Sequence, residues 1–396
     1  MDRSAAGQAR KLLPRLRAWR REIHRQPELA FRERRTASFL ARVLRSAGWQ
    51  VRTGVARTGV VALLRGRRPG PVLALRADMD ALPICEATGA PYASRVPGVM
   101  HACGHDGNQA MLLGAAQILA GRREQLAGSV KLIFQPSEEV PPGGAQAMIA
   151  AGVLEHPRVD LILAGHVDTQ LPAGTIGVRE GAAMAAADAF VLTVTGRGGH
   201  AALPHCSVDA IAAAAAVITG LQQAVAREQD PLEPAVVSVG RIRGGEAYNA
   251  IAGEAVLEGT LRSLSAATRR SLAQRVARIS RNICRAHRAE ARFSLQPGHP
   301  PLVNHPRAAG LVRRAGLAVL GRGGVREWAR PLMTGEDFTY FARRRPACFF
   351  RVGVGGSAAR FRYPWHHPRF DFDERGLASG AAVLAQAALD FLGGRA

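Results

Sequence analysis

Four short apolar runs, VVALLRG, PVLALRADMD, VKLIFQPSEE and VDLILAGHVD, are as long as single strands and too uniformly apolar to leave one face wet. Such runs are strands buried on both sides, and the stretch NQAMLLGAAQILAG between the second and the third reads as a helix that covers them. The last three runs end in polar residues. The chain is therefore constrained to an α/β sheet whose strand ends gather ionisable side chains. An Arg-rich amphipathic helix up to about Gln26, and a second helix from about Glu33 to Ala47 stopped by Gly48, precede the first run.

From about Ala185 the pattern changes. AFVLTVTGRGG alternates, an Ala-rich helix follows from Val208 to about Ala226, and VVSVGRIRGG and AVLEGTLRS read as two more half-buried strands. A helix near Ala267 to Ala286 and the strand ARFSLQPG complete a strand, helix, two strands, helix, strand order, which is ferredoxin-like. Beyond Pro300 the buried-strand and helix signals return in AAGLVRRAGLAVL and ACFFRVGVGG. The expectation is a two-domain α/β protein with a discontinuous domain over 1–184 and 296–396, and an inserted α+β domain over 185–295.

A chain of 396 residues with 47% hydrophobic composition supports two cores. Its formal charge of +22 would suit nucleic acid, but all but two of the 53 basic residues are arginine. These are scattered instead of striped, and the aromatic interleaving of a single-strand binder is missing, so a nucleic-acid role is not expected. Five widely spaced cysteines fit a reducing compartment. Basic residues interrupt the N-terminal apolar positions, and no run has the length of a membrane span, so the expected location is cytoplasmic, without a membrane partner.

The residues with chemical capacity fall in four places. In MHACGHDGNQAM, Cys103 and His105 stand two apart before a helix, a spacing that lets thiolate and imidazole converge on one cation or bridge two; Asp106 suits a helix cap. QPSEEVPPGG places Glu138 and Glu139 side by side after an apolar strand, where one carboxylate can hold a metal and the other can move protons. His166 in AGHVD, and His366 or His367 in PWHHPRFDFDE, complete a donor set of the size that a dinuclear site requires.

These motifs, with HRQPELAF, RADMDALPICEATG, GAQAMIAAGVL, GRGGHAALPH, GTLRS and MTGEDF in order around them, give a sequence that resembles the amidohydrolase branch of the metal-dependent aminoacylase and carboxypeptidase superfamily over nearly its whole length. The resemblance implies a zinc-peptidase-like catalytic domain with an inserted lid and dimerisation domain, a homodimer, and hydrolysis of small N-acyl amino acids by two divalent ions (Mn, Zn, Co or Ni). It further implies that Cys103 bridges the ions, that His105, Glu139, His166 and His366 are the other ligands, and that Glu138 is the free catalytic carboxylate. His366 is preferred over His367 because the family places the ligand two residues before the proline, here Pro368. By the same resemblance His200 hydrogen-bonds the developing oxyanion, and Asn249 and Arg262 hold the substrate carboxylate. Asp78 and Asp80 are expected to orient the ligands.

The sequence departs from the family at Asn108, where a second histidine often stands, at Ser137, and at Ala252, which replaces a common proline. Two rival readings stand beside the metal one. Cys103 could be the nucleophile of a thiol hydrolase, and the fold could serve a non-catalytic binding protein.

Overall fold

The computed structural model describes residues 4–393. The chain opens with α1 (Ala5–Arg25), α2 (Arg34–Ser46), β1 (Gln50–Val55), β2 (Gly59–Arg65) and β3 (Arg68–Asp78), then α3 (His105–Ala120), β4 (Ala127–Gln135), α4 (Gly144–Ala150), β5 (Leu161–Pro172) and β6 (Ile176–Val178). It continues through β7 (Ala186–Thr195), α5 (Ala210–Gly220), β8 (Ala235–Gly244), β9 (Glu254–Ser263), α6 (Ala266–Ala286) and β10 (Glu290–His299). It closes with α7 (Pro306–Leu320), β11 (Val325–Glu327), β12 (Ala347–Gly355) and α8 (Gly376–Leu392).

Two compact units divide these elements. The first holds residues 4–181, 303–329 and 337–393, and the second 182–302 and 330–336.

The first unit is built on an eight-stranded mixed sheet in the order β1-β2-β4-β3-β5-β12-β6-β11. Its centre, β4-β3-β5-β12, is parallel, as the solidly apolar runs require. Helices α1, α3, α7 and α8 pack on one another beside this centre, and α3 is buried on nearly every face from His105 to Leu119, the pattern of a helix with no water-facing stripe. A β-carbon on Gly380 of α8 would meet Met111 Sδ of α3 at 2.1 Å, so the glycine is what lets the two helices approach.

The β1 edge and α8 were not assigned from sequence. β1 is largely exposed and carries no apolar run; it enters the sheet through the antiparallel hairpin with β2.

The second unit is a four-stranded antiparallel sheet in the order β8-β9-β7-β10, with α5 and α6 packed on it. The alternation read in AFVLTVT is real: β7 buries every second residue. Residues 330–336 return to this unit, outside the 185–295 expected from sequence. Ala185 donates to Leu332 O, and Leu332 donates to Ala183 O, both at close to 3.0 Å, and two backbone bonds of this kind leave no periodic signal in a sequence. No helix among the described residues is long and apolar enough to cross a membrane.

Candidate metal centre

Parallel pairing sets the floor of the site. Asp78 pairs with Gln135, and Arg76 pairs with Ala164, which places His166 two residues on, level with Asp78. His166 lies inside β5, which continues to Pro172, and not at a strand end as its sequence suggested. Beneath this level Arg76 donates to Gln135 Oε1 at 2.9 Å, Asp78 Oδ2 at 2.7 Å and Asp337 Oδ1 at 3.1 Å. Burial pushes the Asp337 carboxyl up to about 6 despite the Arg76 charge beside it.

Gly104 delivers Cys103 and His105 to the site. Its φ of +90° is left-handed, and a β-carbon there would meet Val167 Cγ2 at 2.3 Å, so only glycine makes this entry into α3. His105 Nδ1 lies 2.8 Å from the Asp80 carbonyl and His166 Nδ1 2.9 Å from the Val167 carbonyl. A carbonyl only accepts, so each ring donates from Nδ1, and it is the neutral form of the ring, the one a cation selects, that carries its lone pair on Nε2.

Asp80 does more than orient His105. Its two carboxylate oxygens accept the backbone N–H groups of Glu138 and Glu139, each at 3.0 Å. Ser137 makes the preceding turn with φ +51°, its N–H held at 3.0 Å by Glu33. His366 also sits in the left-handed region, at φ +64°, with its N–H bonded to Ala102 O. Non-glycine residues rarely take this conformation, and two of the seven that do among the described residues belong to this site.

The side chains meet as two overlapping trios. Cys103, His105 and His166 offer donor atoms within 4.8 Å of one another, and so do Cys103, Glu139 and His366. Glu138 groups with His105 and Glu139 by the same measure. The shared member is Cys103, whose Sγ stands 3.7 Å from His166 Nε2. His367 is not part of either trio: its ring stacks on Tyr363, and its Nδ1 accepts from Arg369 N.

This donor set fits divalent ions. His105 Nε2 and Glu139 Oε1 are buried without a hydrogen-bond partner, although they are 3.9 Å apart and Glu139 Oε1 is 3.2 Å from His366 Nε2. Such proximity without hydrogen-bond alignment is what ligands of a common cation display. Local charge agrees. Burial alone would make His105 a weaker base, yet Asp78 and Asp80 push it up to about 10. Burial, together with Glu139, Glu138 and Asp78, drives the Cys103 thiol well above its ordinary value. The thiol thus sits among carboxylates as well as the His105 and His166 imidazoles, a mixed donor cluster of the kind that attracts a divalent cation.

Asn108, a departure from the family pattern, still braces the site from the helix side. Its Nδ2 donates to Asp78 Oδ1 at 2.8 Å and its Oδ1 accepts Val167 N at 3.0 Å, tying β3 to β5. Trp365 escaped the sequence reading; its indole N–H bonds the same Val167 carbonyl that His166 uses. Its place next to His366 was the available signal.

The remaining expected residues lie in the second unit. His200 and Asn249 are neighbours there: Gly199–His200 pairs with Ala250–Ile251, and Ala201 N donates to Asn249 O at 3.1 Å. Both are exposed. His200 Nδ1 accepts from Ala202 N at 3.1 Å, so the neutral ring carries its proton on Nε2. Arg262 is elsewhere. It faces Ala187 across the strand pair, whereas the His200 end begins beyond the Glu254–Thr195 pair, eight residues along β9, a rise of about 26 Å. Arg262 donates to Met333 O at 3.1 Å.

A mixed α/β unit that brings a thiol, three imidazoles and paired carboxylates together beside its central parallel strands defines a metallopeptidase-type hydrolase. The chain belongs to peptidase family M20/M25/M40, whose sequence profile matches residues 74–390. It is 42% identical to the N-acyl-L-amino acid amidohydrolase of Geobacillus stearothermophilus, over 84% of this chain and 91% of that protein. It is 39% identical to the N-acetyl-L-cysteine deacetylase of Bacillus subtilis, over 93% and 86%. Among solved structures, the Bacillus subtilis YXEP protein, a dinuclear metal-binding peptidase of the M20 family, superposes with a TM-score of 0.84 at 35% identity, covering 97% of this chain and 99% of that one. The chain is thus a hydrolytic enzyme acting on amides.

Proposed function

We propose that this enzyme cleaves the amide of N-acyl amino acids, releasing a carboxylic acid and a free amino acid, at a centre for two divalent ions. The observation that carries the reading is the pair of donor trios sharing Cys103, with Glu138 outside both and anchored by Asp80. Cys103, His105 and His166 would hold one ion, and Cys103, Glu139 and His366 the other. Bound there, the ions supply Lewis acidity that brings a water towards neutral pKa and polarises the amide carbonyl.

The protein's own residues do the rest. Glu138 takes the proton of the attacking water and passes it to the leaving amine, so one carboxylate serves first as base and then as acid. The backbone N–H bond to Asp80 fixes where its side chain starts. His200 donates Nε2–H to the developing oxyanion, the tautomer that its Nδ1 bond to Ala202 selects. Arg262 holds the substrate carboxylate with its remaining guanidinium hydrogens.

Metal-stripped protein restored with Mn²⁺, Zn²⁺, Co²⁺ or Ni²⁺ and offered N-acetyl and N-benzoyl amino acids tests the reading. Release of free amino acid only with metal is the expected result; equal release from stripped protein, abolished in Cys103→Ala, would overturn it in favour of a thiol enzyme.

His200 and Arg262 at opposite ends of the second unit lead to a further expectation. One chain's unit spans too far for both to reach one small substrate, so they act from different copies of the chain. With His200 as the residue that comes from the partner copy, mixing inactive Glu138→Gln and His200→Ala proteins under exchange should restore activity, to about a quarter of wild type for random pairing into dimers. A mixture as inactive as its components would place His200 on the same chain as Glu138, leaving Arg262 as the residue supplied by the partner copy.

A further inference from the structure

A cavity of about 770 Å³ lies on the first unit, between α1, the 87–92 segment and the 359–375 segment. Five arginines and three carboxylates line it. The carboxylates are already engaged. Arg21 grips Glu374 with two bonds, at 3.0 and 2.6 Å; Arg375 grips Asp373, its shortest bond 2.6 Å; and Asp371 takes the Tyr92 hydroxyl at 2.9 Å and, from behind, Arg20 at 2.7 Å.

Two cations are left over, and a third is only loosely engaged. Arg17 approaches Glu374 no closer than 3.7 Å, and its Nε is buried without a hydrogen-bond partner. Arg360 lies on the ring of Phe361, 4.6 Å from its centroid. Arg369 reaches the Tyr363 hydroxyl at 3.5 Å, and neither Arg360 nor Arg369 has a carboxylate partner among the described residues. Like charges gathered around one concavity repel unless an anion joins them, and guanidinium forks bind carboxylate, sulfate and phosphate oxygens with the best geometry of any side chain. The volume is that of a small-molecule site.

We propose that this cavity is a binding site for a small polyvalent oxyanion, separate from the amide-cleaving centre and held by Arg17, Arg360 and Arg369. The site adjoins that centre through the backbone: Tyr363 and Arg369 flank His366 on either side. It is also tied to it from beneath, since Arg20, which holds Asp371, donates at 3.0 Å to Asp106, the residue after His105. The inference does not depend on the metal reading, because none of the three arginines belongs to a donor trio.

Calorimetric titration of the metal-loaded protein with sulfate, and separately with succinate, at constant ionic strength tests it. Saturable binding of at least one anion is expected, weakened tenfold or more in Arg360→Ala/Arg369→Ala. Arg292→Ala, an arginine of the second unit, should leave it unchanged. Sulfate alone would assign the site to sulfate or phosphate esters, and succinate as well would extend it to dicarboxylates. Absence of saturable binding, or binding of undiminished affinity in the double variant, would overturn the proposal. Arg360→Ala alone, at an exposed side chain, is the variant to use if the double one loses its fold.

Discussion

Glu138→Gln is expected to lower kcat by roughly 10³-fold, within the range that a positioned acid–base group contributes, with metal content and fold unchanged. The isosteric amide keeps the backbone N–H bond to Asp80, which does not involve the side chain, and leaves both donor trios intact. What it removes is the proton acceptor. The discriminating measurement is kcat beside KM and bound metal per chain. A fall in kcat at constant metal content supports the assignment, whereas metal loss in step with activity would make Glu138 a ligand instead of a proton carrier.

Arg20→Met should destabilise the first unit by about 3–5 kcal/mol, the cost of stranding buried partners of a lost charge. The Arg20 side chain is fully buried and meets Asp106, Asp371 and Glu374 at 3.0, 2.7 and 3.2 Å, with its guanidinium carbon 3.7 Å from the Phe372 ring centroid. Methionine keeps much of the stem, so the loss reports the charge. All four tryptophans, at positions 19, 49, 328 and 365, lie in the first unit, and urea unfolding followed by tryptophan fluorescence therefore reads that unit alone.

The pH dependence has a defined sign. The Asp106 carboxyl, which burial would raise, is held below the usual range by Arg20 and His24, so its contribution is present at neutral pH and lost as pH falls through the carboxylate range. His24, which burial would lower, is pushed up to about 9 by Asp106; its contribution is complete below about 6.5 and lost as pH rises through 9. The gap between wild type and Arg20→Met should narrow in acid, where the stranded carboxylates take up protons. A gap that is small at pH 7, or independent of pH, would mean that packing, not charge, sets the role of Arg20.

Much of the candidate donor cluster was legible because each of its residues stands in a short motif attached to a strong element signal. Cys103 and His105 precede a helix with no polar face, and Glu138 and Glu139 follow a strand of solid apolar character. The choice of His366 over His367 rests on the family pattern; in the structure His366 is the one that groups with Cys103 and Glu139, while His367 stacks on Tyr363. Less was visible where the informative contact joins residues remote in sequence. Nothing local to Glu33 says that it holds Ser137, 104 residues away. Arg20 and His24 are one helical turn apart on α1 and read as ordinary basic positions, because the acids that bury them come from α3 and the C-terminal segment. The return of residues 330–336 to the second unit was hidden for the same reason.

Asp80 spends both carboxylate oxygens on consecutive N–H groups, and this fixes a length as well as a position. A carboxylate that grips two successive amides acts as a ruler between β3 and the segment after β4. Inserting or deleting one residue between Gln135 and Glu138 would present the wrong pair of amides and displace Glu139 from its place beside His105 and His366. In engineering terms this stretch accepts substitutions but not indels, and a library that varies loop length for new specificity belongs in the second unit, away from that grip.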